Sequence, residues 1–453
     1  MSSSNVGVQQ AATASTKDLK KSLGRKELFS VAAGQIIGAG IMALTGVAIA
    51  MTGRSVNVAF MLAAVAVIFL SIPNVFIASS IRLRGGMYSW AAVFAGKKTA
   101  GIFMIIYIIA NISIAMYAIS FSEYFMALIP GIPAKAVALI VMTLVFFANY
   151  RGVEGAAKLQ NAMVLVLAIA LTLFSVFGVS KIQPGYFENP GFLTNGVGGL
   201  LTAMALLTFA TGGATVTLNL SAEAKNPKKD IPFVIIVSTL VVAGLYAFMS
   251  TIAAGVLPIE QVANQPLTLV AEAIMPKALY IFFVVGGAMF ALLTTLNATV
   301  SWITKPVMQA CVDNWFPQSL AALHPKYNTP YKLLAIFYIV GILPILFDFN
   351  IEQIANFALI LNYAILAILV LSTIRLPKLF PEQWKKSPYH MPRGAFSILI
   401  IISTLVMMLQ LLMLGMNLTT IELVGNGIIL GVAVLFGFAR EKHVNMEISV
   451  DDE

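Results

Sequence analysis

The chain has 453 residues, 59% of them hydrophobic and only 10% charged, whereas soluble domains carry about 25% charged residues. That composition excludes a water-soluble enzyme, a disordered chain and a nucleic-acid binder. A single cysteine, Cys311, excludes intrachain disulfides and a Cys-cluster metal site, and His324, His390 and His443 all lie in polar stretches, which removes a buried histidine relay.

Residues 1–25 are rich in Ser, Ala, Gln and Lys and hold no secretory apolar core, so they read as a soluble tail. Twelve apolar stretches follow, measured against the roughly 20 residues that cross a bilayer as a helix. They are Phe29–Met51, Val58–Ser80, Gly101–Ile129, Ala134–Tyr150, Ala162–Val179, Val197–Leu220, Phe233–Val256, Tyr280–Thr304, Leu333–Phe347, Ile354–Ile374, Phe396–Met413 and Ile421–Phe438. The fourth and ninth are the shortest. Helices are expected because lipid offers unpaired backbone groups no partner, and the short alternating segments of a transmembrane barrel are missing.

The charges test this count. With the N-terminus inside, 24 of the 28 basic residues fall on the inner side, and only Arg54, Lys135, Lys181 and Lys277 fall outside. Cytoplasmic loops carry such an excess, and one span more or fewer would invert the pattern downstream. Both termini are therefore expected in the cytoplasm, with the protein multi-pass in the plasma membrane. The long inner connections are 305–332 and 376–395, and Trp315 and Tyr327 of the first suit the membrane interface. The outer stretch 256–276 is expected to hold a short surface helix.

Two glycine clusters stand out. The first span reads Gly34-Gln35-Ile36-Ile37-Gly38-Ala39-Gly40-Ile41. Each glycine weakens a helix by about 1 kcal/mol. Alone, the cluster fits either close Gly-x-x-x-Gly packing or a mid-membrane break whose freed groups line a cavity. The sixth span reads Phe209-Ala210-Thr211-Gly212-Gly213-Ala214-Thr215. Spans one and six are the first members of two five-helix halves, and paired interruptions at matching positions point to a transporter built from inverted repeats.

Freed N–H groups at a half-helix start suit a carboxylate, and freed carbonyls at a half-helix end suit an ammonium. The middles of spans one, three, six and eight hold no Asp, Glu, Lys or Arg. A site with both dipole ends and no full charge suits a zwitterionic amino acid. Glu123, toward the outer end of span three, reads as a structural or interfacial carboxylate.

At this point the chain resembles the amino acid–polyamine–organocation permeases over essentially all twelve spans, and looks most like their neutral amino acid permeases and exchangers. The likeness rests on residues 34–41, on Arg84-Gly85-Gly86-Met87-Tyr88-Ser89-Trp90, on residues 209–213, and on Lys225-Asn226-Pro227-Lys228-Lys229-Asp230-Ile231-Pro232. The resemblance implies an all-α integral membrane protein working by alternating access. It implies twelve transmembrane helices in all: ten in a five-plus-five inverted repeat, with helices one and six discontinuous, and two C-terminal helices. The organisation is then an N-terminal tail 1–25, repeats 26–192 and 193–375, a helix pair 376–440 and an acidic tail 441–453.

Carried over residue by residue, the resemblance gives Ala39, Gly40 and Ile41 amides for a substrate carboxylate. Ile37, Phe209, Ala210 and Gly212 place carbonyls near its amine, and Phe209 is the aromatic gate. Asn111 matches a third-helix pocket asparagine, or else makes a hydrogen bond between helices. One departure is clear: Leu167 stands where many members keep a lysine in helix five, while Lys158 reads as an interfacial anchor. Thr294 and Thr295 match a hydroxyl pair that, with helix-one carbonyls at Gly34 and Ile37, holds Na⁺ in sodium-coupled relatives of the fold; the alternative is that both bond their own helix.

Three readings stay open: a neutral amino acid permease or exchanger, an exchanger of cationic amino acids or amines, and an amino acid sensor that moves nothing. The implied partners are a small amino acid and the lipid bilayer, with no nucleic acid and an open oligomeric state. No cofactor is implied, and the coupling ion, Na⁺ or H⁺, stays open. No cluster of His, Cys or carboxylates within the spans suggests an enzyme.

Overall fold

The computed structural model describes residues 23–83, 86–152, 156–220, 224–416, 418–445 and 450–451. The long helices in chain order are α1 (Arg25–Ile36), α2 (Ala39–Thr52), α3 (Val56–Ser80), α4 (Lys97–Ala110), α5 (Ile114–Leu128), α6 (Ala134–Arg151), α7 (Ala156–Val179), α8 (Gly196–Thr211), α9 (Pro227–Gly255), α10 (Phe290–Trp302), α11 (Tyr331–Leu346), α12 (Ile351–Ser372), α13 (Arg393–Gly415) and α14 (Thr420–Arg440). Among the described residues nine helical stretches are long and apolar enough to cross a membrane. One of them, Gly40–Ser80, joins α2 and α3 through a 3₁₀ turn at Gly53–Ser55. Two apolar helices, Leu165–Val179 and Tyr331–Leu346, are shorter.

Helix ends follow local chemistry. Asn350 accepts the Gln353 amide at 2.8 Å and donates its own amide to the Gln353 side chain at 3.0 Å, which starts α12. Thr419 and Glu422 make the same reciprocal pair at the start of α14. Each satisfies donors that the first helical turn leaves orphaned. Pro227 stands in the first turn of α9, where its missing N–H costs nothing.

The buried core is a single apolar cluster running through most of the helices. By contrast α13 and α14 lie at the edge, with Ile398, Leu405, Leu412, Ile421, Ile428 and Leu435 more than half exposed. In water such a surface would aggregate; in lipid it is the expected outer face.

At the turn between α2 and α3, the Arg54 guanidinium donates to the Gly185 carbonyl at 2.9 Å, and the Tyr186 hydroxyl donates to the Arg54 carbonyl at 2.6 Å. Burial pushes the Tyr186 phenol up to about 12, so it remains a donor. The expected single surface helix in 256–276 is two, Ile259–Val262 and Thr268–Ile274.

At the opposite, lysine-rich side the C-terminal segment is strapped down. Lys97 donates to the Val444 carbonyl at 2.6 Å, Arg440 donates to the Asn314 carbonyl at 3.0 Å, and Val450–Asp451 pairs antiparallel with Arg82–Leu83. Beneath it Tyr88 donates to the Asp313 carboxylate at 2.5 Å. Trp315, which suited the interface from sequence, is instead buried against Phe436 and the Gly101 backbone. A smooth glycine surface on the neighbouring helix gives the indole a dry slot.

Candidate functional site

The first span is interrupted. α1 ends at Ile36 and α2 begins at Ala39, with Ile37 (φ −74°, ψ 89°) and Gly38 non-helical between them. The last carbonyls of α1 and the first amides of α2 lose their helical partners there. The Ile37 amide returns to the Ala33 carbonyl at 2.6 Å. The Ile36 carbonyl accepts from the hydroxyl of Tyr246, which is fully buried on α9. The amides of Gly38 and Ile41 face that same hydroxyl. One tyrosine thus stands between the two dipole ends of the break.

The sixth span changes differently from the expected gap. α8 ends at Thr211, and the chain continues as a 3₁₀ helix over Gly212–Leu220. Nine residues is long for this winding, which rarely exceeds three or four. Threonines support it: Thr215 donates to the Gly212 carbonyl at 3.0 Å and Thr217 to the Ala214 carbonyl at 2.7 Å. The backbone therefore stays wound, and the interruption is a change of pitch.

The two interruptions meet. A Cβ on Gly40 would lie 2.6 Å from the Cβ of Ala210 and 3.0 Å from its carbonyl oxygen. A Cβ on Gly213 would lie 2.8 Å from the Gln35 carbonyl oxygen. Residue numbers rise along one segment as they fall along the other, so the segments cross antiparallel. Glycine at both points lets main chain touch main chain. Gly212 does not share this role, since only Val67 lies near, at 4.0 Å.

The other expected site residues divide. Thr295 is drawn to the break: its hydroxyl would be 2.0 Å from a Cβ on Gly38. Thr294 and Thr295 both donate to the Ala291 carbonyl, at 3.0 and 2.8 Å, so the own-helix reading of this pair holds while their oxygens remain acceptors. Ile41 is fully buried, and its carbonyl accepts from Thr45 at 2.6 Å. Gly34 is buried in the last turn of α1, and Ile37 is half-buried. The side chains of Ala39 and Lys158 lie outside the described residues.

Phe209 is half-buried, with its ring 6.5 Å from that of Tyr117 on α5. Asn111 instead donates to the Tyr107 carbonyl of its own helix at 2.7 Å, on a short 3₁₀ turn that packs against α11 and α12. Among the described residues that amide makes no bond to another helix, and its bond to Tyr107 bridges the pitch change between α4 and α5. Leu167 is buried, and Glu123 is half-buried on α5.

The tyrosines were missed from sequence. Besides Tyr246 and Tyr117, Tyr124 donates to the Met42 carbonyl at 3.1 Å and accepts the Leu267 amide at 3.1 Å, and Tyr363 shares a hydrogen bond with Thr208. The available signal was a phenol in an otherwise apolar span, which needs a polar partner once buried.

The lysine-rich end of α1 is held as well. Arg25 pairs with Asp230 at 2.8 Å and lies over the Phe233 ring, while the Lys225 amide donates to the Leu23 carbonyl at 2.8 Å. The Asn-Pro and Ile-Pro motif thus positions the carboxylate that meets Arg25.

Comparison with known proteins agrees with this architecture. Residues 23–436 match the amino acid permease family, and the chain belongs to it. It is 28% identical to the branched-chain amino acid permease BcaP of Bacillus subtilis over 71% of this chain and 73% of that protein. It is 26% identical to the methylthioribose transporter of the same organism, covering 71% and 74%. It is 25% identical to the chloroplastic cationic amino acid transporter 7 of Arabidopsis thaliana, covering 74% and 62%.

Two substitutions test the junction. Gly40→Val drives a side chain into the Ala210 backbone, and overpacking of this kind costs about 1–3 kcal/mol. Uptake is expected to vanish while folded protein still reaches the membrane, read by transport and by size-exclusion of the purified variant. Tyr246→Phe leaves the ring and strands the Ile36 carbonyl, a loss of about 1–3 kcal/mol. A melting temperature equal to that of the parent protein would show that the hydroxyl holds nothing there.

Proposed function

We propose that the protein is a secondary transporter that moves neutral amino acids across the plasma membrane by alternating access. The observation that carries this reading is the junction itself: an interrupted first span pressed against the re-pitched sixth, with peptide dipoles and no full charge between them. The amides of Ala39, Gly40 and Ile41 then receive the substrate carboxylate, and the carbonyls of Ile37, Phe209, Ala210 and Gly212 receive its ammonium. Phe209, backed by Tyr117, closes over the bound molecule.

The reading includes twelve spans in two inverted five-helix repeats, with both termini cytoplasmic. Twelve spans are supported by the turn at Gly53–Ser55, which divides the longest apolar stretch, and by the two shorter apolar helices. The repeat is supported by how helices pair. α3 packs on α9 and α6 on α11, each five spans apart in this count. The third span packs on the tenth (α4 and α5 on α12), and the eighth packs on the fifth (α10 and the preceding Phe283–Met289 segment on α7). Exchanging the two halves turns each of these pairings into itself or its counterpart.

A neutral cargo is supported by the groups that meet at the junction: Gln35, Ile36, Gly38, Gly40, Ala210, Gly213, Tyr246 and Thr295 include no carboxylate to hold a cationic side chain. The name of the branched-chain permease relative points the same way.

Uptake into proteoliposomes, run with leucine, alanine and arginine, tests the proposal. Each is measured with and without internal amino acid, a Na⁺ gradient and a pH gradient, and these arms assign the coupling. Leucine or alanine should accumulate; arginine as the sole substrate would replace the neutral reading with the cationic one, and no uptake of any would leave a sensor. Phe209→Ala should slow turnover at least about tenfold, as expected for removal of over 1.4 kcal/mol of closing interaction. Unchanged kinetics would remove Phe209 from the gate.

A further inference from the structure

Away from the junction, a cavity of about 260 Å³ opens at the lysine-rich side, where the chain enters α13. It is lined by Pro381, Trp384, Lys385, His390, Met391, Pro392 and Arg393. The wall is built rather than loose. The Trp384 ring packs on Phe396 and Phe76 with centroids 4.7 and 5.6 Å away, and the Ser387 hydroxyl bonds that of Ser79 at 2.9 Å. Trp384 is only 2% exposed, and among the described residues its indole N–H has no hydrogen-bond partner. That N–H lies inside the wall, which the ring stiffens without offering the donor to the cavity.

The two charged side chains that line the cavity, Lys385 and Arg393, are both basic. Glu382 lies 3.5 Å from Lys385 with both side chains exposed, so that pairing is weak. α13 begins at Arg393, and its first amides have no intrahelical partner. An anion at that position meets the positive end of a 23-residue helix. Immediately beyond, Ile398, Ile401 and Leu405 are exposed on the lipid-facing side of the same helix.

We propose that this cavity binds a phosphate group, supplied by the headgroup of an anionic phospholipid whose acyl chains lie along Ile398, Ile401 and Leu405. Cations at the cytoplasmic membrane boundary attract anionic lipid. Here a shaped cavity lined by Lys385 and Arg393 and a helix start add a fixed point of attachment. The site lies on the outermost helices and does not depend on which amino acid is carried.

The test uses the purified full-length protein in detergent, with thermal unfolding followed during titration of short-chain phosphatidylglycerol, short-chain phosphatidylcholine and inorganic phosphate. Phosphatidylglycerol should raise the melting temperature where phosphatidylcholine does not. Arg393→Gln and Lys385→Gln should each weaken that response about fivefold. Inorganic phosphate matching the lipid would keep the anion site and assign it to the free ion. Equal responses to the two lipids, or full responses from both charge variants, would overturn the proposal.

Discussion

Inside hydrocarbon every peptide group must find a partner, because no water is there to supply one. The first span breaks that rule on purpose at Ile37–Gly38, and much of the surrounding structure answers the break. Tyr246 reaches in from α9 to the Ile36 carbonyl, Thr295 crowds Gly38, and the sixth span presses its backbone against both sides. An unpartnered peptide group in an apolar medium costs several kcal/mol. The interruption therefore persists only where other helices converge on it, which makes the junction the organising centre of the bundle.

The two interruptions solve the same problem by different chemistry. In the first span the helix stops and a foreign hydroxyl caps it. In the sixth the helix tightens its winding and threonine hydroxyls of the same segment cap its carbonyls. The first leaves a gap in the helix, and the second a continuous segment that packs against that gap. α1 is then a short rod fixed at two points, the break at one end and the Arg25–Asp230 contact at the other. Arg25 is half exposed, so after solvent screening that ion pair is worth about 1 kcal/mol or less.

Much of this was legible in the sequence because hydropathy and glycine spacing are local signals. The apolar runs marked the helices within a few residues, and Gly38 and Gly40 marked the interruption of the first. Local signals could not say that Gly213 is pressed on the Gln35 backbone while Gly212 meets only the edge of Val67, since that depends on which helix lies opposite. They also could not separate a gap from a change of pitch: both are favoured by glycine, and only the threonines at 215 and 217 tilt the outcome toward winding. Asn111 shows a related limit. Its amide serves its own Tyr107 carbonyl, a choice set by the 3₁₀ turn beneath it. The tyrosines carried no spacing signal at all, because a phenol finds its partner across the bundle rather than along the chain.

Tyr246 has a consequence for selectivity that follows from hydrogen-bond chemistry alone. A hydroxyl donates and accepts, so this one can satisfy both the carbonyl end and the amide end of the break without carrying charge. Any ligand entering there competes with an internal group that already meets the geometry. A neutral alcohol or amide offers bonds of equal kind and gains little by replacing it. A carboxylate and an ammonium form charge-assisted bonds roughly twice as strong. A molecule bearing both can form such bonds with a freed carbonyl and a freed amide together. For the neutral amino acid cargo proposed above, the tyrosine is thus an uncharged internal partner that keeps the break paired in the absence of substrate.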